Sequence, residues 1–185
     1  GKEVKGYSLD RGELWRHSIA CGIICREIAR RNRLGDIEAY FVAGLLHDIG
    51  KIILGEYLEE EYEEIIKRVS ESLQPFNIIE REVLGFDHAE MGGLLAKKWN
   101  LPDFLIEAIR YHHSPEKSKL LSPSVVNVGD GIALMMGYGV GIDGLMYQIS
   151  EEALARFGLA KEEALEEFIS YVDRSLTAAY QFFEL

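Results

Sequence analysis

Apolar positions recur at intervals of three and four along nearly the whole chain, and this period predicts helices. From Leu9 to about Arg31, the residues Trp15, Ile19, Ile23, Ile24 and Ile28 form one stripe. Asp36 stands where an N-cap belongs, ahead of a helix through "IEAYFVAGLLHDIG". In "EEEYEEIIKRVSES", Tyr62, Ile65, Ile66 and Val69 share one face and glutamates the other, the pattern of a surface helix. Pro75 opens a short helix carrying Phe76, Ile79 and Val83, and Gly85 closes it. Asp87 can cap "HAEMGGLLAKKW", and Pro102 fits the first turn of "DFLIEAIRYHH". "SPSVVNVGDGIALMMG" follows, then a glycine-rich connection, "GYGVGIDG", and the long amphipathic "KEEALEEFISYVDRSLTAAYQFF". No strand alternation or internal repeat interrupts the series. The expected fold is all-α: residues 1–185 as one helical bundle of roughly eight to ten helices.

Composition changes this picture in three ways. At 48% hydrophobic over 185 residues the chain can bury a sizeable core. No apolar run is long enough for a bilayer and "GKEVKGYSLD" has no apolar core, so neither a membrane contact nor a signal peptide is expected. The net charge is 20 − 31 = −11, which repels an extended polyanion. A nucleic-acid polymer is therefore not an expected partner, although a nucleotide or phosphate ligand held through a metal remains compatible. Cys21 and Cys25, one helical turn apart, make no disulfide framework and read as small core thiols, so a cytoplasmic location is expected. The chain opens on glycine, as a tag remnant or a piece of a longer protein would.

The candidate chemistry lies in "AGLLHDIGK", where His47 and Asp48 interrupt an apolar run. A buried carboxylate there needs a partner, either Lys51 one turn on or a metal ion. The chain has five histidines: His17, His47, His88, His112 and His113. Glu13 precedes His17 by one turn, and Asp130 sits in the apolar "VGDGIAL". Imidazole and carboxylate are ligands for borderline and hard cations, and a helical bundle supplies them one or two per helix. Each has a plain alternative. Asp48 and Lys51 can be an ion pair, "HH" a C-terminal turn suited to the helix dipole, and Asp130 a helix kink. By spacing alone a metal site is suggested, with those alternatives open.

"LWRHSIACGIICREIA", "AGLLHDIGKIIL", "EREVLGFDHAEMGGLLAKKWNLPDFLIEAIRYHHSP" and "VVNVGDGIAL" together resemble the HD superfamily of metal-dependent phosphohydrolases. Within it they are most similar to the bacterial HDOD (HD-related output) domains, over roughly Leu14 to Leu134. The resemblance implies an all-helical fold and a signalling or output module. Set beside the related HD-GYP phosphodiesterases, it places His17, His47, Asp48, His88, His112, His113 and Asp130 at metal-ligand positions. Glu13 falls where a further carboxylate can be added, and Lys51 where a lysine meets substrate phosphate. By the same likeness, His17, His47, Asp48 and Asp130 hold one ion and His88, His112 and His113 a second. Asp48 bridges the two and, with Lys51, is a catalytic candidate. Two Fe, Mn or Ni ions suit the histidine-rich set better than Zn or Mg.

Two features depart from those relatives. "HHSPEKSKLLSP" replaces the GYP element, and a helical section usual before the tryptophan-histidine helix is not expected in this chain. The expected function is thus a metal-binding HDOD-like signal-transduction or output domain with a signalling protein partner. The alternative is an active phosphohydrolase or phosphodiesterase acting on a nucleotide or cyclic dinucleotide. A third reading, an iron redox centre, rests on ligand type alone. Trp15, Trp99 and Tyr111 are expected in the core or as cleft walls. Asp87 and Glu90 are either orienting groups for His88 or a cap and a surface charge.

Overall fold

A computed structural model of the chain describes residues 11–72, 74–139 and 149–183. Among these residues the chain forms ten α-helices, one short 3-10 turn and no strand. The first stripe becomes α1 (Arg11–Arg31), and the predicted start at Leu9 lies outside the described residues. Asp36 caps α2 (Ile37–Leu46) by accepting a hydrogen bond from the Ala39 N–H at 3.3 Å. The single helix expected through "HDIG" is instead two: the backbone turns at His47 and Asp48, and α3 (Ile49–Tyr57) sets off from there. Asp48 has φ −96° and ψ 14°, outside helical values, which ends the first run.

The surface helix is α4 (Glu59–Ser72), and Pro75 opens α5 (Phe76–Leu84). Gly85 closes α5 at φ +84°, a left-handed conformation that glycine adopts without steric cost. Asp87 caps α6 (His88–Lys98), and Pro102 immediately precedes α7 (Asp103–Tyr111). Then come the 3-10 turn Pro115–Lys117 and α8 (Ser122–Met135). The short α9 (Glu151–Arg156), capped by Ser150, is an addition to the expected elements, and α10 (Glu162–Phe183) is the long amphipathic helix. Most of the glycine-rich connection lies outside the described residues.

Two hydrophobic clusters hold these helices. The larger joins α1, α2, α7, α8, α9 and α10 around Ile24, Ile28, Val125, Val128, Ile132 and Phe168. The smaller joins α3, α4 and α5 around Leu54, Tyr62, Ile65, Val69, Phe76 and Ile79. Cys21 and Cys25 are fully buried in the larger one, as expected, with free thiols. Trp15 and Trp99 lie outside the core, 50% and 54% exposed, and Trp15 instead stands in the wall of a cleft, the other place expected for it.

Small residues let three helices meet at backbone distance. A Cβ on Gly44 would lie 2.8 Å from the Cys25 Sγ and the Gly22 Cα, and one on Gly129 would lie 2.5 Å from the same sulfur. Any side chain at either position would push α2 or α8 off α1. That close approach decides where His17, His47 and Asp130 stand. Among the described residues no helix is long and apolar enough to cross a membrane.

Candidate metal centre

Five helices deliver side chains to one buried point. α1 carries His17, the turn between α2 and α3 carries His47 and Asp48, and α6 begins with His88. His112 and His113 follow α7, and α8 contributes Asp130. His17, His47, Asp48, His88, His112 and Asp130 are all buried.

The imidazoles are oriented alike. His47 Nδ1–H donates to the Gly44 carbonyl at 2.7 Å and His112 Nδ1–H to the Ile109 carbonyl at 2.7 Å, each three residues back. His17 Nδ1–H donates to the Tyr138 carbonyl at 3.1 Å, and His88 Nδ1–H to Glu80 Oε2 at 2.6 Å. With Nδ1 engaged outward, each Nε2 points inward, the orientation in which loss of its proton offers a metal the lone pair. His17 Nε2 lies 3.0 Å from Asp130 Oδ1 and 3.3 Å from His47 Nε2. His88 Nε2 lies 3.3 Å from Asp48 Oδ1 and 2.8 Å from His113 Nε2. His47 Nε2 is 3.4 Å from Asp48 Oδ2, and His112 Nε2 is 3.9 Å from Asp48 Oδ1.

Three sets of donor atoms lie close enough together to hold a cation: His17, His47 and Asp48; His47, His112 and Asp130; and His88, His112 and His113. Asp48 stands between the two ends of the cluster. Its two oxygens and His112 Nε2 are buried without a hydrogen bond, the condition that a cation relieves. Lys51 Nζ lies 2.8 Å from Asp48 Oδ2 as a charge partner, out of hydrogen-bond alignment. The donor set fits a divalent metal, and the buried groups could bind one.

Protons are shared unequally in this cluster. Burial opposes the charged form of His47, but the Asp48 and Asp130 carboxylates outweigh it and raise its pKa to about 9. His88 is likewise raised against burial, chiefly by Glu80. Burial together with the neighbouring His47 and His88 lowers His112 to about 3, and burial with His112 and His88 holds His113 well below the usual value. Burial works against ionised Asp48 and Asp130, yet His47 and the other neighbouring cationic groups keep both well below the ordinary carboxylate range.

The structure brings seven of the sequence-predicted residues together, with Lys51 beside them. It leaves Glu13 apart: exposed on the first turn of α1 and outside the three donor sets. Four residues at 1.5 Å rise carry it about 6 Å along the axis from His17. Asp87 serves as the α6 cap, accepting from the Glu90 N–H at 2.8 Å, and Glu90 pairs with Arg81 and Arg110 on the surface. The residue that orients His88 is Glu80, buried on α5, which sequence reasoning did not single out. It also accepts the His88 backbone N–H at 3.0 Å and the Tyr62 hydroxyl at 2.6 Å. A signal for it existed: Phe76, Ile79, Glu80 and Val83 follow helical spacing, so Glu80 occupies a position on the apolar stripe.

A family model of the HDOD domain matches residues 2–115. An uncharacterized protein of Treponema pallidum (strain Nichols) is 26% identical over 172 residues, covering 89% of this chain and 32% of that protein. The crystal structure of an HDOD domain protein with unknown function from Geobacter sulfurreducens superposes with a TM-score of 0.75 at 26% identity, covering 92% of this chain and 61% of that one. A protein of Marinobacter aquaeolei VT8, provisionally named for signal transduction, shares the fold with a TM-score of 0.75 at 20% identity, over 93% of this chain and 39% of that one. The chain thus spans about a third of the curated relative and under two thirds of the solved ones. The match takes in every histidine of the cluster and Asp48, and stops short of Asp130. By its helices and by a match over more than half its length, the chain belongs to the HDOD domain family.

Proposed function

We propose that this chain is a divalent-metal-binding signalling or output module whose His/Asp cluster holds two ions. The observation that carries this reading is the convergence of four imidazole Nε2 atoms on Asp48, whose buried oxygens accept no hydrogen bond. His17, His47, Asp48 and Asp130 would hold one ion, and His88, His112 and His113 the other, with Asp48 shared. Fe, Mn or Ni suits this mixture of imidazole and carboxylate better than Mg, which favours oxygen ligands. The module would act through a protein partner, as its resemblance to output domains implies.

One observation favours phosphohydrolase activity as a second reading. Lys51, on the first turn of α3, is buried with its ammonium beside Asp48, where it can meet phosphate at the cluster. Bound there, divalent cations would activate water and stabilise charge on phosphoryl oxygens. Glu80, Gly44 O and Ile109 O keep the imidazoles aimed, and Lys51 adds positive charge at the cluster.

Thermal unfolding of chelator-treated protein with and without added Mn tests the first reading. At a hundredfold excess over Kd the gain is about 2.7 kcal/mol, a rise in Tm of several degrees. An unchanged Tm with Mn, Fe and Ni in turn overturns it. Turnover of bis(p-nitrophenyl) phosphate by loaded protein, lost in Lys51→Met at unchanged metal content, would establish the second reading.

A further inference from the structure

Beside the cluster, between α1, the end of α2 and α3, opens a cleft of about 520 Å³. Its walls are Leu14, Trp15, Leu45, Leu46, Ile49 and Ile52. The polar side chains it offers are Ser18 and Glu56, and Asp48 forms part of its wall with both carboxylate oxygens buried. We infer that this cleft is a subsite for the aryl or otherwise apolar body of an organic phosphate whose phosphoryl group meets the His/Asp cluster.

Four observations support it. The volume is that of a small-molecule site. Asp48 belongs both to the wall of the cleft and to the centre of the cluster, so a body seated in the cleft lies directly against the cluster. Trp15 and Ile52 stand at the opening 50% and 47% exposed, so a ligand would remove from water apolar surface that the fold leaves wet. The lining also discriminates. A nucleoside brings sugar hydroxyls and base edges that need partners when buried, and Ser18 with one exposed carboxylate, Glu56, supplies few. An aryl or alkyl phosphate needs polar partners only at its phosphate end.

This inference rests on the cluster holding metal, and the probes separate the two. In a Trp99→Phe background, where Trp15 is the one tryptophan left, calorimetric titrations with 2-naphthyl phosphate, inorganic phosphate and 2-naphthol are run on chelated and Mn-loaded protein. The Mn-loaded protein is expected to bind 2-naphthyl phosphate at least about tenfold more tightly than inorganic phosphate. Trp15→Ala and Ile52→Glu should each remove most of that difference while Mn content is retained. Equal affinities for the two phosphates, or a difference that survives both variants, overturns the subsite. If no Mn binds, the metal reading fails by itself. 2-Naphthol then decides the cleft: heat of binding abolished by Trp15→Ala keeps it as an aryl site, and no heat in either form rejects it.

Discussion

His88 Nε2 and His113 Nε2 face each other at 2.8 Å inside the protein. Glu80 engages His88 Nδ1–H and raises the His88 pKa, while burial keeps His113 unprotonated. Two lone pairs at that distance repel unless a proton or a cation lies between them. His17 Nε2 and His47 Nε2 repeat the arrangement at 3.3 Å on the other side of Asp48. The folded chain is thus built around positive charge that its own side chains supply only in part.

Removing the shared carboxylate should be the most damaging single change. Asp48→Ala is expected to abolish bound metal and to cost the metal-free fold about 3 kcal/mol, the scale for breaking a buried charge pair, since Lys51 is left facing imidazoles. Metal content and urea denaturation check the two parts separately. Full metal content in the variant would sink the bridging role.

Glu80 should act through His88. Glu80→Gln removes the anion that accepts the His88 Nδ1–H, and a loss of about tenfold to a hundredfold in metal affinity is expected. Tyr62→Phe deletes only the hydroxyl bond to the opposite oxygen, costing about 1 kcal/mol of stability with a much smaller effect on metal. Competition with a fluorescent chelator measures both, and equal losses in the two variants would contradict the assignment.

α3 and α6 meet at Gly50, where an added Cβ would lie 1.9 Å from the His88 carbonyl oxygen. Gly50→Ala must force the two helices apart and carry His88 away from Asp48, so metal content and Tm should fall together. Gly35→Ala is the control: nothing lies within 4 Å of its Cβ, and it should be neutral or stabilise by a few tenths of a kcal/mol.

Acid–base behaviour of the metal-free and loaded forms should run in opposite directions. Burial disfavours charge on His47, but Asp48 and Asp130 raise its pKa to about 9, against about 6.5 in an unfolded chain. A raised pKa stabilises the fold fully below about 6.5, and this gain disappears as pH rises through about 9. The Tm of metal-free protein should therefore fall across that window. A cation must displace the same proton, so Mn affinity should rise over the same range and level off above about 9. Scans and Mn titrations at pH 6.5, 7.5 and 8.5 test both trends, and a flat pair of profiles would contradict the assigned proton.

Much of this was legible in the sequence, for local reasons. Caps such as Asp36 and Asp87 act within three residues of themselves, and the apolar stripe of α1 is a property of one helix. Five histidines with Asp48 and Asp130 in apolar surroundings drew notice, but it was the resemblance to HD-type domains that named them as a ligand set. Non-local facts were not legible. Glu80 reaches His88 from another helix, and a glutamate among seven others in α4 and α5 draws no notice unless its place on the stripe is weighed. The turn at His47 and Asp48 is set by the packing of α3 on α6 at Gly50, so an unbroken helical pattern ran through it. Trp15 and Trp99 are large and apolar, yet helical period says which face they share and not whether another element covers it.

The measurement that tests the metal centre most directly is elemental analysis of protein purified without chelator or an affinity-metal column. Roughly two equivalents of a transition metal per chain are expected, falling to near zero in Asp48→Ala. Less than about a tenth of an equivalent, unchanged after reconstitution with Mn or Fe, would contradict it and leave Lys51 as the partner of a purely structural Asp48.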